Sequence, residues 1–110
     1  MERMFTITLT VPGAMTADKT LYWRVPCDCQ LVHISAQCIT QNATLQVSDD
    51  GSAITDSITV TAGTTPVEAD RDEFVGDQYP HIARGSVLAA AIGHGSNCVD
   101  FVAVLTFTEG

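Results

Sequence analysis

Apolar and polar residues alternate strictly at both ends of the chain, with a period of two residues. Near the start, threonines separate the apolar positions Phe5, Ile7, Leu9 and Val11. Near the end, one face collects Val99, Phe101, Ala103, Leu105 and Phe107. Successive side chains of a strand point to opposite faces, so this pattern predicts two β-strands that each have one buried face.

Similar but shorter patterns fill most of the chain between these two strands. Residues 21–25, 30–40 and 44–48 each alternate, and residues 87–92 form a further predicted strand of small and apolar residues. Turn residues such as Pro26 and Gly51 separate several of these segments. In the third strand, Val32, Ile34, Ala36 and Cys38 are predicted to share the inner face. Seven or eight short strands with regular turns predict an all-β, single-domain antiparallel β-sandwich over residues 1–110.

The predicted core combines the large apolar residues from the alternating segments. It contains Phe5, Ile7, Leu9, Trp23, Ile34, Leu45, Phe101, Leu105 and Phe107.

Three connections between the strands carry their own local signals. Residues 65–68 (TPVE) resemble a helix capping box with proline at the first helical position, which allows a single helical turn. The acidic residues 68–73 that follow are predicted to form an exposed loop. Residues 93–97 (GHGSN) are predicted to form a glycine-rich hairpin turn.

Charge narrows the range of partners. The 110 residues include 13 acidic and five basic side chains, giving a formal net charge of −8. Phosphate backbones are bound by clusters of lysine and arginine, so we expect no nucleic-acid partner, and anionic membrane surfaces are disfavoured for the same reason. No apolar run approaches the roughly 20 residues of a membrane span. The first ten residues lack the apolar core of a signal peptide.

The four cysteines offer the first candidate chemistry. Without an export signal, the expected compartment is reducing, and Cys27, Cys29, Cys38 and Cys98 are predicted to be free thiols. A zinc site could combine Cys27, Cys29, Cys98 and His94, but the Cys-x-Cys spacing is tighter than that of a usual zinc knuckle. We therefore expect no metal.

Clustered carboxylates and histidines are the other chemical candidates. Calcium could bind at either of two acidic groups, namely Asp49, Asp50 and Asp56, or Asp70, Asp72, Glu73 and Asp77. Neither group has EF-hand spacing, so solvated loop carboxylates are the preferred interpretation. Asp70, Asp72 and His81 could supply acid–base pairs, yet no catalytic motif accompanies them. The chain is expected to have no catalytic residues and no cofactor.

A protein interface is the remaining candidate. Trp23 alternates with Tyr22 and Arg24, so if the tryptophan is in the core the other two face outward. Tyrosine and arginine are enriched among the residues that dominate interface energetics. The small-residue strand at residues 87–92 is a second candidate surface. Tyr22, Arg24, Val87 and Ala89 are therefore predicted to be protein-interface residues.

Four stretches resemble the head decoration, or capsid-stabilising, proteins of tailed bacteriophages. They are residues 5–13 (FTITLTVPG), 26–35 (PCDCQLVHIS), 70–74 (DRDEF) and 102–110 (VAVLTFTEG). The resemblance implies a jelly-roll-like sandwich that forms a homotrimer and sits on an assembled shell of major capsid protein. It implies a virion location, on the outer capsid surface, for a protein made in the host cytoplasm. It transfers no catalytic residue and no contact residue.

Two other classes of protein share this type of fold. A carbohydrate-binding or adhesin-like module is the main alternative, and exposed aromatic residues on one face would favour it. A small enzyme of the cupin type would need clustered metal-binding histidines. His33, His81 and His94 show no His-x-His spacing.

Overall fold

The computed structural model of the protein describes residues 3–63, 65–94 and 98–109, and these residues form a β-sandwich. Residues 95–97 of the predicted hairpin turn lie outside the described part. There are ten described strands rather than seven or eight, because four of them are only two or three residues long. They are β1 (Met4–Ala14), β2 (Lys19–Arg24), β3 (Cys29–Ile39), β4 (Ala43–Asp49), β5 (Ser52–Ala53), β6 (Ile58–Val60), β7 (Val67–Ala69), β8 (His81–Ile82), β9 (Val87–Gly93) and β10 (Val99–Glu109).

The strands pair as a set of nested antiparallel hairpins. β1 pairs with β10, β2 with β9, β3 with both β7 and β8, and β4 with both β5 and β6. Further pairing of β10 with β3 and of β9 with β4 closes two five-stranded sheets. Sheet 1 contains β1, β10, β3, β7 and β8, and sheet 2 contains β2, β9, β4, β5 and β6. Folding of one long hairpin ribbon into two facing sheets is jelly-roll topology.

The core lies between the two sheets and is built by the predicted alternation. Of the predicted core residues, six are buried and three are partly buried against them. The buried ones are Leu9, Ile34, Leu45, Phe101, Leu105 and Phe107, and the partly buried ones are Phe5, Ile7 and Trp23. The ring of Phe5 stacks on Phe107 with centroids 5.0 Å apart. Because β1 is the edge strand of sheet 1, its apolar side chains are less completely covered than those of β10.

The start of β3 departs from the predicted alternation. Thr106 pairs with His33, whereas its neighbour Phe107 pairs with Leu31, so Val32 is left without a partner in a β-bulge. Because of this extra residue, Leu31 and Val32 point to the opposite faces from those that uninterrupted alternation predicts. Leu31 is fully buried, and Val32 is half-buried on the outside. The prediction that Val32 shares the inner face is therefore wrong, although it is correct for the residues after the bulge.

The capping-box segment also folds differently from the expectation. Val67–Ala69 form β7, whose residues pair with Ala36 and Ile34 of β3. The helical turns come later, as two short 3-10 helices at Arg71–Glu73 and Val75–Asp77. Pairing with a strand that is already buried outweighs the local preference for a turn, since β7 thereby places Ala69 in the core.

Candidate functional site

The four predicted interface residues lie together on the outer face of sheet 2. β2 and β9 are neighbours, and their register places Tyr22 opposite Ala89 and Arg24 opposite Val87. Tyr22 is 69% exposed, while Val87 and Ala89 are half-buried beside it. Arg24 is held by a hydrogen bond from Nη1 to the carbonyl oxygen of Gly85, at 3.0 Å. We call these four residues the sheet 2 patch.

The sheet 2 patch has no acidic side chain of its own, and the carboxylate of Asp50 lies at its edge, where it accepts the backbone N–H of Val87. The outward positions of β2, β9 and β4 in the described structure carry hydroxyl, amide, small apolar, tyrosine and arginine side chains. By contrast, residues 68–77 contain five carboxylates and one arginine, and they begin in β7 at the edge of sheet 1. Another protein therefore approaches the patch with less electrostatic repulsion than it meets at residues 68–77.

Two polar atoms beneath the sheet 2 patch are buried without a hydrogen-bond partner among the described residues. They are Nε1 of Trp23 and Oδ1 of Asp49. Burial raises the pKa of the Asp49 carboxyl, the nearby Asp50 raises it further, and a hydrogen bond with Ser86 partly offsets both effects. The ionised carboxylate of Asp49 therefore lowers the stability of the folded protein.

Changing Asp49 to asparagine is expected to raise the free energy of unfolding at neutral pH. The pKa of this carboxyl is higher in the folded protein than in the unfolded chain, so the folded state binds the proton more tightly. The charged form therefore costs stability at neutral pH, and this cost disappears as the pH falls towards the ordinary value of 3.8. Urea unfolding at several pH values should show the advantage of the variant shrinking in acid.

Asp72→Asn is the matched control, because it removes the same charge from an exposed position. It is expected to change the stability much less at neutral pH. An Asp49→Asn protein that is less stable than the parent at neutral pH would show that the contact with Ser86 outweighs the burial of the charge.

The residues of the candidate zinc site are divided between opposite ends of the sandwich. Cys27 and Cys29 lie at the beginning of β3. His94 and Cys98 flank the connection before β10, next to the end of β3, where Val99 pairs with Ile39. The 11 residues of β3 span about 33 Å. Within the described part of the chain, no three His, Cys, Asp or Glu side chains group closely enough to hold a metal ion.

The four thiols are unbridged in the structure, and three of them are buried. Burial raises the pKa of Cys29 to about 11, and the nearby Cys27, Asp28 and Asp49 raise it further. Burial also raises the pKa values of Cys38 and Cys98. Because the thiolate is the nucleophilic form, these three cysteines are placed as core residues rather than as reactive groups.

The candidate calcium ligands are engaged in hydrogen bonds within the fold. Oδ1 of Asp50 accepts the backbone N–H of Val87 at 3.0 Å. Oε2 of Glu73 accepts the backbone N–H of Asp70 at 3.0 Å. The Asp50 carboxylate thus links the residue after β4 to the start of β9, and the Glu73 carboxylate closes the turn that begins at Asp70.

Of the residues considered for acid–base catalysis, Asp70 and His81 have different neighbours. Asp70 contacts His33 of β3, with 3.1 Å between Oδ1 and Nδ1, whereas His81 lies in β8 opposite Gln30. The other ring nitrogen of His33 contacts Glu68. Ser35 donates to Glu68 at 3.3 Å rather than to the imidazole. This cluster on sheet 1 therefore lacks the hydroxyl–imidazole contact that activates a serine nucleophile.

A groove of about 280 Å³ lies next to the sheet 2 patch and was not predicted from the sequence. Its floor is formed by Ala91 and Gly93 of β9, and its sides include Thr20 of β2 with Thr44 and Gln46 of β4. The alternation of polar residues in β2 and β4 was visible in the sequence. What could not be read there was that the small residues of β9 lie between those two strands.

Comparisons with known proteins do not assign the chain to a family. No family model matches it, and no curated protein matches it. Among solved structures, a chain from the structure of infectious bursal disease virus Gx strain matches with 13% sequence identity and a TM-score of 0.33. The match covers 99% of this chain and 42% of the viral chain. A likeness at this level carries no conclusion about function. In the described residues, no helix is long and apolar enough to cross a membrane.

Proposed function

We propose that this chain is a decoration protein of a tailed-bacteriophage head, which attaches to the outer surface of the assembled shell and stabilises it without catalysis. The observation that carries the proposal is the jelly-roll pairing of the strands, an architecture used by viral capsid domains. The sequence resemblance to phage decoration proteins points in the same direction. The proposed location is the virion surface, after synthesis in the host cytoplasm.

The sheet 2 patch is the proposed contact with the major capsid protein. Ala89 and Val87 leave room for close approach of a partner, and Tyr22 offers a large exposed ring that loses little conformational entropy on binding. Arg24 adds a positive charge to a patch that has no acidic side chain of its own. The proposal involves no cofactor, no nucleic acid and no membrane.

The direct test is cosedimentation with shells of the phage that encodes the chain. We expect binding to assembled shells but not to isolated coat subunits, because a decoration site spans several subunits. Ala89→Arg places a long charged side chain at the centre of the patch and is expected to weaken binding by a factor of about 30 or more, equivalent to about 2 kcal/mol. Thr8→Arg makes the same change in charge on the exposed face of sheet 1 and should bind normally.

Comparison of the two variants tests the proposed contact surface separately from decoration itself. Loss of binding in Thr8→Arg but not in Ala89→Arg would retain decoration and move the contact to sheet 1. Failure of the unaltered chain to bind shells would overturn decoration itself.

Stabilisation of the shell is tested by heating shells with and without the protein. A ligand that binds only the intact state stabilises it by about 2.7 kcal/mol per site at a concentration of 100 times Kd. Decorated shells should therefore rupture at a higher temperature. Equal rupture temperatures would contradict the stabilising role but not attachment to the shell.

A homotrimer is the proposed assembly. Threefold and quasi-threefold positions on an icosahedral shell suit a trimer, and simultaneous binding to several coat subunits raises the effective concentration at each contact. Three copies bring together a formal charge of −24, which is three times −8. Exposed charges are screened beyond about 8 Å at physiological salt, so an uncharged contact can outweigh this repulsion. Light scattering should give a trimer mass at physiological salt, whereas monomers in solution and on the shell would exclude it.

A further inference from the structure

The groove beside the sheet 2 patch has a defined structural cause. Thr20, Ala91 and Gln46 lie in one cross-strand row, and Gly93 is opposite Thr44 in the neighbouring part of the sheet. The middle strand contributes a methyl group and a glycine, while the strands on both sides contribute longer polar side chains. A Cβ atom at Gly93 would lie 2.3 Å from Oγ1 of Thr44, so this wall approaches the floor too closely for any other residue without rearrangement.

The side chains that line the groove are mainly uncharged groups that form hydrogen bonds. Thr20, Thr44 and Ser57 supply hydroxyls, and Gln46 supplies an amide. Each hydroxyl both donates and accepts, and a glutamine amide offers two N–H donors as well as a carbonyl. The amide of Gln46 is oriented by a bond from Nε2 to the carbonyl oxygen of Thr55, at 3.2 Å. The groove therefore presents hydroxyl and amide groups around a small apolar floor.

The charged residues at the end of the groove do not make it an anion site. Oδ1 of Asp18 accepts the backbone N–H of His94 at 3.0 Å and lies 2.5 Å from its Nδ1. These two hydrogen bonds hold the pKa of the Asp18 carboxyl below its ordinary value, so at neutral pH the group is ionised. One basic residue, Lys19, also lines the groove, in a molecule with a formal net charge of −8. This balance favours a neutral ligand over an anionic one.

We propose that this groove binds one ring of a neutral saccharide. A pyranose carries several hydroxyls that donate and accept hydrogen bonds, and its C–H face fits against the methyl group of Ala91. The volume of about 280 Å³ is near the lower limit of roughly 300 Å³ for small-molecule sites, as suits a single ring. Lectin domains also use the jelly-roll architecture. The lining of this site is distinct from the sheet 2 patch, since the groove lies in the next rows of the sheet, formed by Thr20, Ala91 and Gln46 and by Thr44 and Gly93.

The test is an NMR titration of the isolated full chain with glucose, galactose, mannose and N-acetylglucosamine. We expect saturable shifts of Thr20, Thr44, Gln46 and Ala91 with at least one of these sugars, and a Kd on the order of 1–10 mM. Shifts that do not saturate, or that fall outside the groove for all four sugars, would overturn the proposal. Glucuronic acid provides the charged comparison, and tighter binding of it than of the neutral sugars would contradict the assigned ligand class.

Two matched variants connect binding to the groove. Ala91→Leu fills the floor and is expected to weaken sugar binding at least tenfold. Ala89→Leu makes the same substitution one row away and should leave the affinity within a factor of two. Since Ala91 is exposed in a strand, its replacement should preserve the fold, which the unshifted core resonances would verify. Equal affinities of the two variants would place the sugar elsewhere and overturn the site. Shell binding is measured separately, so failure here does not bear on decoration.

Discussion

Replacing Phe101 with alanine is expected to lower the free energy of unfolding by about 3–5 kcal/mol. The ring is completely buried on β10, which lies between β1 and β3 in sheet 1. Removing it loses the favourable transfer of the ring from water and leaves a cavity that the two sheets fill only in part. Small domains are stabilised by only about 5–15 kcal/mol in total, so this single change removes a large share.

The measurement is urea unfolding followed by far-UV circular dichroism, which should show a β-rich spectrum for the parent protein. Val104→Ala is the control, because Val104 lies on the same strand with its side chain on the outer face. Its expected cost is below about 1 kcal/mol. If Phe101→Ala does not fold, Phe101→Leu retains most of the apolar volume and should unfold at an intermediate urea concentration. Equal stability of Phe101→Ala and Val104→Ala would contradict the assigned core.

Deletion of Val32 is expected to cost much less stability than the truncation of Phe101. The bulge accommodates Val32 as an extra residue, so Leu31 points inward while the rest of β3 keeps its own register with β10. Without the extra residue, Leu31 directly precedes His33, so regular alternation keeps Leu31 on the inner face and Gln30 on the outer one. The expected cost is therefore below about 2 kcal/mol, from the lost Val32 side chain and the changed bend of the strand.

Val32→Ala tests the contribution of the Val32 side chain while the bulge is kept. It keeps the number of residues in β3 and removes only a half-buried outer side chain, so a cost below about 1 kcal/mol is expected. Urea unfolding of the two variants provides the comparison. A deletion protein as unstable as Phe101→Ala would show that the bend made by the bulge, and not only the Val32 side chain, is needed at the start of β3.

The candidate surface was predictable only in part. Tyr22 and Arg24 could be assigned to one outer face because they alternate with Trp23, and the small residues of β9 were visible as a group. The sequence could not show that these two segments are neighbours. The hydrogen-bonded register of β2 and β9, which joins residues far apart in the chain, creates both the sheet 2 patch and the groove beside it.

Strand positions and most of the core are local properties that the sequence determines by itself. Alternation with a period of two already separates an inner from an outer face, and it correctly placed Phe101, Leu105 and Phe107 in the core. The tertiary structure decided the features that depend on partners: the jelly-roll pairing, the bulge at Val32 and the strand at Val67–Ala69 in place of a helical turn. The physical reason is that a strand completes its hydrogen bonds and covers its apolar face only against another strand, and local residue preferences do not specify which one.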